Sequence, residues 1–206
     1  MIIAVDGPTA SGKGTIAKAL AVHFGLPHLD TGLLYRAVGR QVQLDGGNPD
    51  DPHAALAACN FADSLLDDEI LRSEEVGSLA SRVSVHPDVR RALYERQRAF
   101  ATQEGGAVLD GRDIGTVIAP EAGVKLFVTA SVEERARRRW LEMTGRGIDV
   151  ALAAIERDIA ARDARDMGRA DAPLRAAEDA LVLDTTHFSR DAAIEAAIEA
   201  VLAKAG

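Results

Sequence analysis

Residues 1–15 read MIIAVDGPTASGKGT, and this stretch decides the fold. Ile2, Ile3, Ala4 and Val5 are a short apolar run that reads as a buried strand. Gly7 and Gly12 then bracket a four-residue loop, and Thr15-Ile16-Ala17-Lys18-Ala19-Leu20 opens a helix. Strand, glycine-rich loop and helix in that order make a P-loop. Its cradle comprises Gly7, Pro8, Thr9, Ala10, Ser11, Gly12, Lys13, Gly14 and Thr15. Backbone N–H groups of such a loop and of the helix N-terminus converge on phosphate oxygens, while the ammonium of Lys13 reaches the outer phosphates. The stretch therefore implies a site for a nucleoside triphosphate.

One position departs from the usual pattern. Gly14 follows the lysine, where a hydroxyl residue commonly holds magnesium, and the hydroxyl comes one residue later at Thr15. Either Thr15 takes that role, or phosphates and water hold most of the metal, since magnesium keeps its waters readily. The spelling Gly12-Lys13-Gly14-Thr15 leans toward small-molecule nucleotide kinases rather than signalling GTPases.

The 206 residues are enough for one domain with a substantial core and added lobes. A hydrophobic content of 47% with only 4% aromatics fits an aliphatic α/β protein, and the net charge of −8 argues against a nucleic-acid or membrane partner. The single Cys59 excludes an internal disulfide and a thiolate metal cage. No secretory signal precedes the first strand and no apolar stretch could span a bilayer, so a soluble, cytoplasmic protein is expected. Basic residues comprise 20 Arg and 4 Lys. A GC-rich coding sequence explains most of that bias, so only arginines in particular positions carry functional weight.

Five strand-like segments punctuate the chain: Ile2–Asp6, Leu26–Asp30, Ala107–Asp110, Val124–Thr129 and Ala180–Asp184. Helical stretches lie between them, with a clear 3.6-residue apolar period in Ile16–Phe24 and Val150–Ala164, and Gly25 is placed to end the first. The alternation predicts an α/β fold with a five-stranded parallel sheet covered on both faces and ligands at the carboxyl ends of its strands. Two helical insertions interrupt it, about 46–102 and about 136–169, leaving a core of 1–45, 103–135 and 170–206. Such insertions suit an acceptor-binding lobe and a mobile lid, because open water would compete as phosphoryl acceptor. The final stretch Arg190–Lys204 reads as a helix covering the sheet.

Three further clusters carry polar chemistry. In Leu29-Asp30-Thr31-Gly32-Leu33-Leu34-Tyr35-Arg36 a strand ends and a helix begins, so Thr31 is expected to cap while Tyr35 and Arg36 lie one turn in. A strand runs into Asp110-Gly111-Arg112-Asp113-Ile114-Gly115-Thr116, delivering two carboxylates and a guanidinium to the phosphate-bearing edge of the sheet. Helical spacing puts Arg162, Asp166 and Arg169 on one side at i, i+4 and i+7. Arg135, Arg138 and Arg139 form a second basic patch entering the lid segment, where phosphate contact and plain surface charge weigh equally.

Taken together, the motifs resemble the bacterial cytidylate kinase family of P-loop nucleoside monophosphate kinases. The matching segments are Asp6-Gly7-Pro8 with Gly12-Lys13-Gly14-Thr15, Leu29-Asp30-Thr31-Gly32 with Tyr35-Arg36, and Ala80-Ser81 before Pro87-x-Val89-Arg90. Gln97-Arg98, Asp110-Gly111-Arg112-Asp113-x-Gly115-Thr116, Glu133-Glu134-Arg135-Ala136, Arg162-x3-Asp166-x2-Arg169 and Leu183-Asp184-Thr185-Thr186 continue the match in family order. The resemblance implies a P-loop NTPase three-layer fold with a mostly helical CMP-binding lobe and a helical lid. It also implies the cofactors ATP and Mg2+, with CMP and dCMP as substrates.

By the same resemblance, Arg36, Arg112 and Arg169 hold the CMP phosphate with Thr31 nearby. Ser81, Arg90 and Asp113 read the cytosine, and Tyr35, Arg162 and Asp166 contact the sugar. Asp110 resembles a strand-end carboxylate that orders the metal or its waters, beside Thr15. Lys13, Arg112, Arg135 and Arg139 are the candidates for contacting the transferring group. One departure concerns the lobe: the piece between Asn60 and Glu74 is short where the family often carries a strand-rich insertion. Helices with a small hairpin at most are expected there.

The chemistry of cytosine agrees with these assignments. Its exocyclic amine donates and its N3 and O2 accept, which a carboxylate beside a guanidinium complements. Uracil places an oxygen where the amine was, and a mismatch of that kind can discriminate by about 10⁴. The rival readings are a P-loop kinase with another acceptor, and a nucleotide-dependent switch. The switch would be expected to carry an Asn-Lys-x-Asp guanine-reading tetrapeptide, which the sequence lacks. A closing kinase with a negative surface is expected to be monomeric.

Overall fold

Five short strands, β1 (Ile2–Asp6), β2 (His28–Asp30), β3 (Ala107–Gly111), β4 (Val124–Thr129) and β5 (Leu181–Asp184), form one parallel sheet in the order β2-β3-β1-β4-β5. The computed structural model describes residues 1–205. Eight α-helices are found among the described residues: α1 (Lys13–Phe24), α2 (Thr31–Leu44), α3 (Pro52–Ala57), α4 (Glu74–Val83), α5 (Pro87–Ala101), α6 (Val132–Gly145), α7 (Leu152–Met167) and α8 (Arg190–Ala205). None of these helices is long and apolar enough to cross a membrane.

The sheet keeps the five expected strands and trims two. The amide of Leu26 is spent on the end of α1, bonding the Ala21 carbonyl at 2.9 Å, where Gly25 sits at φ 65. That of Ala180 closes a turn onto Ala177 at 3.0 Å. The third strand runs one residue further than expected, because Gly111 pairs with Asp6 in the β1–β3 register. β1 lies between β3 and β4, with Asp6 opposite both Gly111 and Phe127. The chain therefore leaves the sheet centre at the point where strand order reverses, which is where ligands bind in open parallel sheets.

Two compact units divide the chain: Met1–Leu29 with the chain from Ala101 onward, and Asp30–Phe100. In the first, alternate residues Ile3 and Val5 of β1 join Val108, Val124, Leu126 and Val128 to bury Ile16 and Leu20 of α1 and Ala193, Ala197 and Val201 of α8. The last helix thus packs against the sheet's apolar side chains, as its sequence predicts. α6 and α7 belong to the same unit, with Ala136, Ile155 and Ile159 packing beside Ala10, Trp140 and Met143. Ser131 caps α6 by accepting from the Glu134 amide at 3.2 Å.

Helices α2 to α5 and short 3₁₀ turns make up most of the second unit. Leu34, Val38 and Val42 of α2 pack with Val76, Ala80 and Val83 of α4 and with Val89 and Leu93 of α5. The two helices come close enough that a Cβ on Gly39 would meet the Leu79 Cβ at 2.8 Å. The unit begins at Asp30, and α2 buries its apolar face inside it. Between Asn60 and Glu74 the chain makes short 3₁₀ turns over Asp63–Asp67 and Glu69–Arg72, and no strand. The small hairpin allowed for by the sequence is replaced by turns, one of them held by Asp68 accepting from the Ile70 amide at 3.0 Å.

Candidate functional site

The loop between β1 and α1 is shaped by what it cannot accommodate and by what holds its carbonyls. A Cβ on Gly7 would stand 2.0 Å from the Val128 carbonyl oxygen, so β4 admits no side chain there. Gly12 is left-handed at φ 87, immediately before the helix, and Ala10 also adopts positive φ, at 57. Three loop carbonyls have partners. Pro8 accepts from Lys13 Nζ at 3.3 Å, Thr9 from Arg135 Nη1 at 3.0 Å, and Ser11 from the Thr185 hydroxyl at 3.5 Å. With these carbonyls engaged by protein donors, the loop is shaped to turn backbone N–H groups toward an anion. The Ser11 hydroxyl is buried and, among the described residues, has no hydrogen-bond partner.

Asp110, the penultimate residue of β3, lies beside this loop: a Cβ on Gly14 would lie 3.6 Å from its Oδ2. Its other oxygen meets His28 Nε2 at 2.8 Å across from β2, and only 3% of the residue is exposed. Sequence reasoning passed over His28, because a single histidine in a three-residue strand carries no periodic or motif signal. Thr15 lies in the first turn of α1, its amide bonded to the Gly12 carbonyl at 3.0 Å. Among the described residues no group of three or more His, Cys, Asp or Glu side chains is placed to hold a metal ion. The oxygen donors of Thr15 and Asp110 suit a hard cation that keeps most of its shell from phosphate and water.

Asp6 is the second residue whose role was missed, although the motif containing it was noticed. Its buried carboxylate accepts the amides of Ile114 at 2.8 Å and Gly115 at 2.8 Å, fixing the single wide turn Ile114–Ile118 that follows Asp113. Burial pushes the Asp6 carboxyl up to about 7, against the pull of those two amides. The Asp113 backbone carbonyl in turn accepts from Val117 at 2.9 Å and Ile118 at 3.1 Å, and the residue is buried.

Arg112, Asp166 and Arg169 come together as a cluster. Arg112 Nε donates to Asp166 Oδ2 at 2.7 Å, and Arg169 Nη2 donates to Asp166 Oδ1. Burial works against ionisation of Asp166, yet Arg112, Arg169 and Lys13 together hold its carboxyl below the ordinary range. Burial likewise opposes the charge of Arg112, but Asp166 keeps that guanidinium firmly protonated. Arg162, one turn earlier on α7, is buried, and that burial together with the nearby Arg112 charge lowers its pKa against the pull of Asp158. α7 ends at Met167, so Arg169 reaches Asp166 from beyond the helix rather than along the predicted helical face.

The basic patch at the start of α6 divides. Arg135 is buried and spends its nitrogens on the protein, with Nε on the Ala130 carbonyl at 2.9 Å, Nη1 on Thr9 and Nη2 on Asp163 Oδ2 at 2.6 Å. Arg138 ties α6 to the end of β5 through the Thr185 hydroxyl at 3.1 Å and carbonyl at 2.5 Å. Arg139 pairs with Glu142 at 2.6 Å. In the sequence these three differ only in position, and tertiary packing gives one to the loop carbonyl of Thr9, one to Thr185 and one to Glu142 on its own helix.

In the second unit, Thr31 is the first residue of α2 and Asp30 holds the cap position expected for Thr31. Arg36 Nη1 donates to the carbonyls of Leu71 at 2.6 Å and Ser73 at 2.8 Å. The Arg90 guanidinium lies 5.6 Å from the centre of the buried Tyr35 ring and its Nη1 contacts the Ser84 carbonyl at 3.4 Å. Ser84 Oγ donates to the Ser81 carbonyl at 3.1 Å. Tyr35, Ser81, Ser84 and Arg90 thus form one connected group within this unit.

The family model described as cytidylate kinase matches residues 3–203. A cytidylate kinase of Cereibacter sphaeroides is 59% identical over 199 residues, covering 97% of this chain and 94% of its own. That of Methylocella silvestris is 56% identical over 199 residues, with 96% and 92% covered. Among solved structures, an uncharacterised protein from Eubacterium ventriosum superposes with a TM-score of 0.56 at 17% identity over 98% of both chains, which speaks to the fold alone.

Proposed function

The chain belongs to the cytidylate kinase family, and from that premise we propose that it transfers the γ-phosphoryl group of ATP to the phosphate of CMP or dCMP, giving ADP and CDP or dCDP. The observation that carries the reading is the charge arrangement of the first unit. The P-loop lysine Lys13 acts on the same carboxylate, Asp166, that holds Arg112 and Arg169. A cationic loop for the donor thus shares its electrostatic neighbourhood with two further guanidiniums suited to an acceptor phosphate.

The acceptor is already an anion at neutral pH, so no general base is needed. Catalysis comes from in-line positioning and from neutralising charge on the transferring group, the role of Lys13 and Arg112 with Arg139 as the lid arginine. Thr15 and Asp110 would hold magnesium, directly or through water, and the ion would supply further charge neutralisation on the phosphates. Arg36, Arg112 and Arg169, with Thr31, hold the CMP phosphate; Tyr35, Arg162 and Asp166 hold the sugar; Ser81, Arg90 and Asp113 read the base. The connected Tyr35–Arg90–Ser84–Ser81 group supports the base-reading assignment, because a guanidinium fixed against a ring is pre-aimed for a planar ligand. We further assign the Asp30–Phe100 unit as the acceptor lobe, α6 and α7 as the lid, and a monomer as the working state.

A coupled ADP-release assay with ATP and magnesium tests this, offering CMP, dCMP, UMP, AMP and GMP in parallel. Turnover with CMP and dCMP far above the other three is expected. Turnover chiefly with another monophosphate would keep the P-loop chemistry and overturn the roles of Ser81, Arg90 and Asp113. Silence with all five would overturn the reading as a whole.

A further inference from the structure

The donor loop is braced by a helix that lies far from it in sequence. Thr9 is one of the four residues between Gly7 and Gly12, and its carbonyl rests on Arg135 Nη1 at 3.0 Å. Arg135 is 4% exposed and Asp163 is 7% exposed, so their 2.6 Å pair is an internal one. A buried guanidinium needs a buried counter-charge, and its planar fork transmits any displacement of that partner to its other contacts. Among the described residues Asp163 Oδ1 is buried without a hydrogen-bond partner, so the pair with Arg135 is the contact that orients this carboxylate. The chain of contacts is thus one carboxylate on α7, one arginine on α6 and one carbonyl of the donor loop.

The neighbouring carboxylate on α7 serves different groups. Asp166 holds Arg112 and Arg169, the cations assigned to the acceptor. Asp163 acts on Arg112 only through its field and more weakly than Asp166 does. Two carboxylates three residues apart therefore face two separate tasks.

We propose that Asp163 is a positioning residue for the phosphate donor, acting through Arg135 to set the Thr9 carbonyl and with it the shape of the loop around the ATP phosphates. This rests on reading that loop as the ATP site. Loss of the Asp163 charge frees Arg135 to seek another acceptor and releases Thr9, which loosens the grip on ATP and leaves CMP binding in place.

The test is steady-state kinetics of the full chain, varying ATP and CMP separately, for wild type, Asp163→Asn and Asp163→Glu, with circular dichroism at the assay temperature. Asp163→Asn should raise the KM for ATP about tenfold, the scale of one charge-assisted hydrogen bond, while the KM for CMP stays within about twofold. Asp163→Glu, which keeps the charge one methylene further out, should fall between that variant and wild type. Equal rises in both KM values, or a fall in kcat alone with the KM for ATP unchanged, would overturn the inference. Should Asp163→Asn not fold, Asp163→Glu decides: a selective rise in the KM for ATP supports the role and a wild-type value removes it. A wild type that turns over no acceptor would overturn the ATP reading itself, whereas an active wild type with unselective variants removes only this inference.

Discussion

Asp166 holds Arg112 by a 2.7 Å hydrogen bond from Nε while its other oxygen takes Arg169, so one buried carboxylate fixes two guanidiniums from separate parts of the chain. Removing its charge leaves both cations without their shared counter-ion, a loss worth up to about 3–5 kcal/mol in a buried pair. Asp166→Asn should lower Tm by several degrees and raise the KM for CMP more than the KM for ATP. Thermal unfolding together with two-substrate kinetics checks both parts. An unchanged KM for CMP would separate the cluster from acceptor binding.

Gly7 abuts the backbone of β4 rather than a side chain, so the clash of an added methyl cannot be relieved by a rotamer change. Gly7→Ala is expected to cost about 1–3 kcal/mol and to weaken ATP binding, because relief requires the loop or the sheet to shift. Chemical denaturation and an ATP titration would reveal it. Wild-type behaviour in both would mean the loop has room that its contact with Val128 denies.

Lys13 begins α1 and reaches back to the Pro8 carbonyl at 3.3 Å, curling over the loop it serves. Lys13→Ala should cut kcat by about 10²-fold or more with the circular dichroism spectrum unchanged, since it removes charge from the transferring group and little packing. Normal turnover in that variant would end the proposed role.

Asp6 sets a pH dependence whose sign follows from its raised carboxyl. In the native state it takes up a proton below about 7, and in the unfolded chain only near the ordinary value of 3.8. Between those pH values the native state binds more protons, so this contribution to stability is complete below about 3.8 and is lost as pH rises toward 7. Asp6→Asn cannot titrate. The Tm difference, wild type minus variant, should therefore fall steadily from pH 4 to pH 7 and flatten above it. A difference that does not vary with pH would show that the two backbone amides keep Asp6 ionised throughout.

Asp113 is the carboxylate assigned to the cytosine amine, held by a turn that Asp6 anchors. Asp113→Asn should erode the preference for CMP over UMP by about 10-fold or more, because the amide can present a donor to the uracil oxygen. The ratio of kcat/KM for the two nucleotides measures it, and an unaltered ratio would move base reading to other residues.

Much of this protein was legible before folding was considered. Local chemistry determined the P-loop, since strand, glycine spacing and lysine lie within fifteen consecutive residues. The strands were visible for a related reason: each is a short apolar run, continuous in the buried β1, β3 and β4, and the signal sits in four to six adjacent letters. The motifs that carry the family resemblance were equally plain, because each is contiguous.

What only the tertiary structure decided is which charges meet. Arg135, Arg138 and Arg139 are neighbours in sequence, yet one braces Thr9, one ties the end of β5 and one pairs along its own helix. Asp6 reaches Ile114, His28 reaches Asp110, and Asp163 reaches Arg135 across separations that no periodicity encodes. Backbone conformation is written locally, in steric preferences and apolar period. The partner of a buried charge is set by desolvation, which acts only after distant segments have closed around it.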